Sequence, residues 1–316
     1  MRGQAESRSV LVSMTGHSSD AAPAYAHRVR RLAPGLFVVL WSTGFIVARY
    51  STRDAGPLTF LALRTAIAAL LLFGLARLTG ETRLSRAQAG GQMTAGLGLH
   101  AMYLGGVFVA IDLGLPSGVS ALIAALHPVV TTVGARVWLG EPIGARRSFG
   151  IALGAAGVVA VVVERGNAGD EVSVGALVGM AVAVTGIAAG TLWQRRMGGD
   201  VPLLGGTAWQ YVATTVVLFV PALGVERLDF TATVRSVASL AWAVGVLSVA
   251  AILTMLWLLK RQVASSVSSL FFLTPALSAV QASVLFDERL GVLSLVGFAA
   301  ATVGVWLATS RGAPVG

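Results

Sequence analysis

The sequence predicts an all-α integral membrane protein of ten transmembrane helices, arranged as two inverted five-helix repeats. Three observations carry that expectation. The 316 residues are 55% hydrophobic and only 12% charged, with a mean hydropathy of +0.79. A soluble domain carries about 25% charged residues, so much of this surface has to face lipid. Residues 115–162 align without a gap on residues 262–309 with 11 identities in 48 positions, an offset of 147. The matches include Pro128/Pro275, Glu141/Glu288, Gly144/Gly291, Gly150/Gly297 and Gly157/Gly304. Finally, basic residues fall mostly on one side of the spans.

A bilayer core about 30 Å thick needs roughly 20 apolar helical residues. Ten segments qualify, near 33–49, 57–79, 92–112, 118–139, 144–163, 173–194, 203–224, 236–259, 264–286 and 290–310. Their connections hold turn residues, as in Asp54-Ala55-Gly56-Pro57, Leu115-Pro116-Ser117-Gly118 and Gly140-Glu141-Pro142. Residues 1–32 are polar and rich in Ser, Ala and Arg, and are expected to form a disordered cytoplasmic tail. Arg30-Arg31 is read as an anchor of a retained first span, because charge and not a small-residue cleavage site ends the stretch. Residues 33–163 form the first repeat, 164–172 the linker, 173–310 the second repeat and 311–316 a C-terminal tail.

Orientation follows from positive charge. With a cytoplasmic N-terminus, 16 of the 23 basic residues lie inside and six outside, which puts both termini in the cytoplasm. Five spans per half is an odd number, so the second half enters from the opposite side. Glu141 then sits at the inner surface and Glu288 at the outer one. The expected location is the cytoplasmic membrane, with the bilayer as the principal partner. The net charge of +9 sits at helix ends and not in one patch, so no nucleic-acid partner is expected.

Several stretches carry a family resemblance: LWSTGFIVARY in the first span, PLTFLALRTAIAALLL in the second, and HPVVTTVGARVWLGEPIG recurring as TPALSAVQASVLFDERLG. In their order and spacing they resemble EamA-type transporters of the drug/metabolite transporter superfamily, from about residue 35 to 310. The resemblance implies export of small metabolites or drugs through a cavity lined mainly by spans 1, 3, 4, 6, 8 and 9. In the second half Gln210 stands where the first has Arg64, so any role of that arginine is not duplicated.

Polar groups deep in a bilayer are costly and are kept where they face a cavity or a partner. His100 lies roughly 12 Å into the third span and His127 roughly 13 Å into the fourth. Tyr103 shares a face with His100. Either imidazole could carry a proton during transport or be a neutral histidine bonded to a neighbouring helix. Arg64, about 10 Å below the outer surface, either snorkels outward or faces the pathway to hold an anion or a helix C-terminus. Trp41, beside Ser42 and Thr43, is the mid-span tryptophan and a candidate for stacking on substrate or for the core. Gln210 and Gln281 are further pathway candidates, with interhelical hydrogen bonding as the plainer reading. His127-Pro128 and Thr274-Pro275 are repeat equivalents. Proline removes a helical hydrogen bond, so Pro128 and Pro275 are expected as hinges, with Thr274 facing the pathway.

No carboxylate lies deep in a span, so proton coupling would have to use histidine. The alternatives are uniport and exchange. Glycines spaced four apart, such as Gly150/Gly154 and Gly186/Gly190, imply close helix packing, or a homodimer face on spans 5 and 10. No metal, cofactor or enzyme activity is expected: cysteine is absent and no intramembrane carboxylate can pair with a histidine. Amino-acid-like or amphipathic metabolites and drugs are the expected cargo of an alternating-access exporter. A sensor or scaffold on a transporter fold is the competing class, ahead of a membrane-embedded enzyme.

Overall fold

The computed structural model describes residues 24–167, 172–197, 201–251, 253–254, 274–288 and 291–309. Among these the chain is helical, and the one β contact is an isolated bridge between Ala55 and Phe230. The helices are α1 (Ala24–Ser51), α2 (Pro57–Thr79), α3 (Arg86–Asp112), α4 (Ser117–Leu139) and α5 (Ala145–Asn167). They continue as α6 (Val174–Met197), α7 (Leu203–Gly224), α8 (Val234–Ala250), α9 (Thr274–Phe286) and α10 (Val292–Thr309). Seven of them, α2 to α7 and α10, are long and apolar enough to cross a membrane.

Local chemistry explains the helix ends. Pro57 opens α2, where its missing N–H costs nothing, and Gly80 closes it with φ of 77°. α3 starts at Arg86, earlier than hydropathy alone indicates, because Ser85 and Gln88 form a reciprocal capping box. α1 starts at Ala24, inside the stretch read as a tail. α5 runs to Asn167, inside the stretch read as the linker. The first part of the expected ninth span, the segment before residue 24 and the C-terminal tail lie outside the described residues.

Two irregularities recur at repeat-equivalent places. α3 widens to a π-helix at Leu97–Met102, and α8 does so at Ala243–Ala250. π-turns are rare and concentrate at functional sites. α4 breaks after Ala124 and resumes at His127, with Pro128 in the first turn of the new segment.

Helices of the two halves pack in pairs: α5 on α10, α2 on α7, α4 on α9. α5 and α10 touch backbone to backbone. A Cβ on Gly157 would lie 2.5 Å from the Gly297 carbonyl oxygen. The glycine stripe of α5 is thus covered by α10 within the chain.

Glutamates at helix ends fasten the halves together. Glu226, after α7, accepts the N–H groups of Leu58 and Thr59 and the Thr59 hydroxyl, at 3.0, 2.8 and 2.7 Å. Glu81, after α2, accepts the Leu204 N–H of α7 at 3.3 Å. Glu288 accepts the N–H groups of Ser117 and Gly118 at the start of α4, at 2.9 and 3.1 Å. Glu164 accepts those of Leu293 and Ser294 at the start of α10, at 3.1 and 2.6 Å. Each carboxylate meets the positive end of a helix dipole.

Candidate functional site

A polar cluster crosses the middle of the bundle, built on the two π-turns. His100, in the π-turn of α3, bonds through Nε2 to Gln210 Oε1 of α7 at 2.9 Å. An amide oxygen only accepts, so the imidazole donates. Gln210 Nε2 then donates to Gln92 Oε1 at 2.6 Å. The His100 ring packs on Tyr211, with centroids 4.7 Å apart. Tyr211 is also a polar partner of Arg64, and Tyr103 lies within reach of the same charge.

Arg64 is 5% exposed, so it faces the interior and does not snorkel. Its Nε donates to Ser248 Oγ at 3.1 Å, in the π-turn of α8. Gln210 is linked to Arg64 by way of His100 and its neighbour Tyr211.

The cluster adjoins a cavity of about 580 Å³ between α3, α6 and α7, lined by Gln88, Gln92, Thr191, Arg195 and Gln210 among others. A second cavity, of about 290 Å³, lies between α4, α6 and α10 and is lined by His127, Pro128, Thr131, Arg147 and Arg195. Thr191 and Arg195, one turn apart on α6, border both. Both sit toward the end of the bundle that carries Arg147 and Arg195. At the other end Phe60, Leu61, Ile111, Leu115, Val119 and Leu122 are fully buried, and Phe60 stacks on Phe108 at 5.9 Å. These side chains fill the space between the helices there, while an apolar cavity of about 440 Å³ lies between α4, α5 and α6.

The remaining expected residues fall in two places. His127 Nδ1 donates to the Ala124 carbonyl at 3.1 Å, and its ring borders the smaller cavity. Between α1 and α9, Gln281 Nε2 donates to Ser42 Oγ at 2.9 Å and Ser278 Oγ to the Ser42 carbonyl at 3.0 Å. Trp41 is the neighbour of Ser42 and is 36% exposed. Thr274 and Pro275 are buried at the first described turn of α9, where a bend would involve residues outside the described set. The structure thus brings together Arg64, His100, Tyr103 and Gln210. His127 with Pro128, and Gln281 with Ser42, form separate hydrogen-bonded groups.

Sequence reasoning missed Gln92, Tyr211 and Ser248, and the rim residues Thr191 and Arg195. Ser248 was the legible one, a lone hydroxyl in the apolar run AVGVLSVAA. Among the described residues no group of His, Asp and Glu is placed to hold a metal ion.

The EamA-like transporter family model matches this chain twice, over residues 35–163 and 174–310. The chain belongs to the EamA-like transporter family. This EamA-like chain is 27% identical to "Uncharacterized transporter YvbV" of Bacillus subtilis (strain 168), over 87% of this chain and 89% of that one. It is 23% identical to a "Probable amino-acid metabolite efflux pump" of Escherichia coli (strain K12), over 86% and 92%. It is 22% identical to "Uncharacterized inner membrane transporter YedA" of the same strain, over 89% and 92%. A solved crystal structure superimposes with a TM-score of 0.57 at 19% identity, covering 89% of this chain and 97% of that one, a likeness of fold. The protein is therefore a membrane transporter of the EamA-like family.

Proposed function

We propose that the protein exports small polar metabolites across the cytoplasmic membrane by alternating access between two inverted five-helix repeats. Ten helices and cytoplasmic termini complete this reading. The observation that carries it is the Gln92–Gln210–His100 chain of hydrogen bonds at a cavity on the arginine-rich side. We read this state as inward-facing, with the end packed around Phe60, Phe108 and Leu115 as the closed one.

The inverted relation is supported by reciprocity. Glu226 caps α2 while Glu81, its counterpart, reaches α7, at opposite ends of one helix pair. The two π-turns fall in equivalent spans, and the family match occurs once in each half. Export, and not uptake, is the direction named for one relative.

The test is flux from proteoliposomes of known orientation, loaded with a panel of small anions, zwitterions, cations and neutral polar compounds. At least one class should leave faster than from empty-lipid controls, and Gln210→Leu should slow it tenfold or more without loss of folded protein. Folded protein that moves no member of the panel overturns the reading.

A further inference from the structure

Arg64 is a buried guanidinium, and its polar surroundings are oxygens without charge: Ser248 Oγ and the phenols of Tyr211 and Tyr103. Among the described residues no carboxylate pairs with it. Guanidinium stays protonated in a protein, and an uncompensated charge inside a bilayer costs several kcal/mol. The described carboxylates sit elsewhere. Glu81, Glu164, Glu226 and Glu288 are taken up by helix N-termini. Glu141 is held by Arg195 at 2.6 Å where the smaller cavity opens, and Arg147 borders the same cavity.

The lining of the two cavities is mainly basic and amide in character, and its one carboxylate among the described residues, Glu141, is paired with Arg195. Arg195 and Arg147 line the cavities together with the amides of Gln92 and Gln210, and behind Gln210 a chain of side-chain contacts runs through His100 and Tyr211 to the buried Arg64. Beyond Glu141, which Arg195 already holds, no described side chain in that series carries a negative charge to neutralise an ammonium group, whereas a carboxylate would find the paired N–H fork that guanidinium presents.

We propose that the substrate is a small carboxylate with no compensating positive charge, held midway by Arg64, and that the membrane potential drives its export. This rests on the transporter reading given above. With the cytoplasm negative, moving an anion outward is downhill. One charge across 100 mV sustains a gradient of roughly 50-fold at equilibrium, with no proton needed. The lack of a deep carboxylate relay then needs no substitute.

The experiment uses full-length protein in proteoliposomes loaded with benzoate, lactate, succinate, alanine, choline or glucose. Valinomycin and a potassium gradient set the potential to either sign. Carboxylate efflux should rise severalfold with the loaded side negative and fall when the sign is reversed, while choline and glucose stay at background. Arg64→Gln should abolish carboxylate flux. Arg64→Lys, which keeps charge but loses the fork, should retain a tenth or less. Ser248→Ala, which removes the hydroxyl orienting Arg64, should raise KM severalfold with kcat little changed, and it serves if Arg64→Gln does not fold. Transport of alanine, choline or glucose in place of the carboxylates overturns this proposal and leaves the transporter reading intact, as does carboxylate flux indifferent to potential or to both Arg64 variants. Failure of all six compounds with folded protein overturns both.

Discussion

His127 donates its Nδ1 hydrogen to the carbonyl of Ala124 at 3.1 Å. That carbonyl is the acceptor that a residue at position 128 would satisfy in a regular helix, and Pro128 has no N–H to offer. The imidazole thus stands in for the missing amide. The adjacent pair His127-Pro128 is one device, a break in α4 with its loose carbonyl already bonded.

This relationship makes a thermodynamic cycle available. His127→Ala should destabilise the protein by about 1–3 kcal/mol, the cost of leaving a buried carbonyl unpaired. His127→Ala combined with Pro128→Ala should recover most of the loss, because the alanine amide reaches Ala124 directly. Thermal unfolding in detergent reads both, and additive losses would refute the substitution argument.

The Glu226 caps tie α7 to α2 at the closed end. Glu226→Ala removes three hydrogen bonds and should weaken that closure by about 1–2 kcal/mol. The chain has no cysteine, so a single cysteine placed at Leu58 reports the change without background. Its labelling by an impermeant maleimide from the closed side should rise severalfold in the Glu226→Ala variant.

At the same end Asp54 accepts from Arg235 Nε and from the Thr233 hydroxyl, each at 2.7 Å. Chiefly the Arg235 bond, then that of Thr233, holds its carboxyl down to about 2, below its ordinary value of 3.8. The folded value is the depressed one. The clamp's contribution is therefore full above pH 4 and is lost as pH falls through about 2. Asp54→Asn should flatten this part of the stability profile between pH 5 and 2, while leaving transport at neutral pH within twofold.

α3 lies against α6 with no room for a side chain at Gly98. A Cβ there would lie 2.5 Å from the Gly186 carbonyl oxygen and 2.8 Å from the Gly190 nitrogen, both backbone atoms that cannot swing aside. Gly98→Ala should cost about 1–3 kcal/mol by forcing the helices apart. Because Gly98 belongs to the π-turn that carries His100, transport should fall further than stability does. Size-exclusion profiles and flux measured side by side distinguish the two effects.

The parts of this protein that announce themselves in sequence are those that answer to lipid. Apolar run lengths located the helices, and the matched Pro, Glu and Gly residues located the repeat. Arg64, His100 and Gln210 stood out because polar atoms are conspicuous in such runs. Their mutual contacts did not, because those depend on which face each helix turns inward, and a span that is apolar all round gives no moment from which to read it. Both π-turns escaped for the same reason: a wider turn changes the facing of LGLHAM without changing its composition. Ser85-x-x-Gln88 was a readable helix start that hydropathy windows overran. Three of the glutamate caps had a signal too, since Glu81 recurs as Glu226 near the repeat offset, and Glu288 recurs from Glu141, which pairs with Arg195 instead of capping a helix. Spacing said that they mattered, but their targets are far away in the chain.

That distance bears on how the protein is made. α2 and α4 emerge from the ribosome early, yet the carboxylates that cover their first turns arrive 168 and 171 residues later. Until then those amides lack the caps that they have in the finished fold. The first turns of α2 and α4 can thus be capped by these glutamates only once the second half has been made.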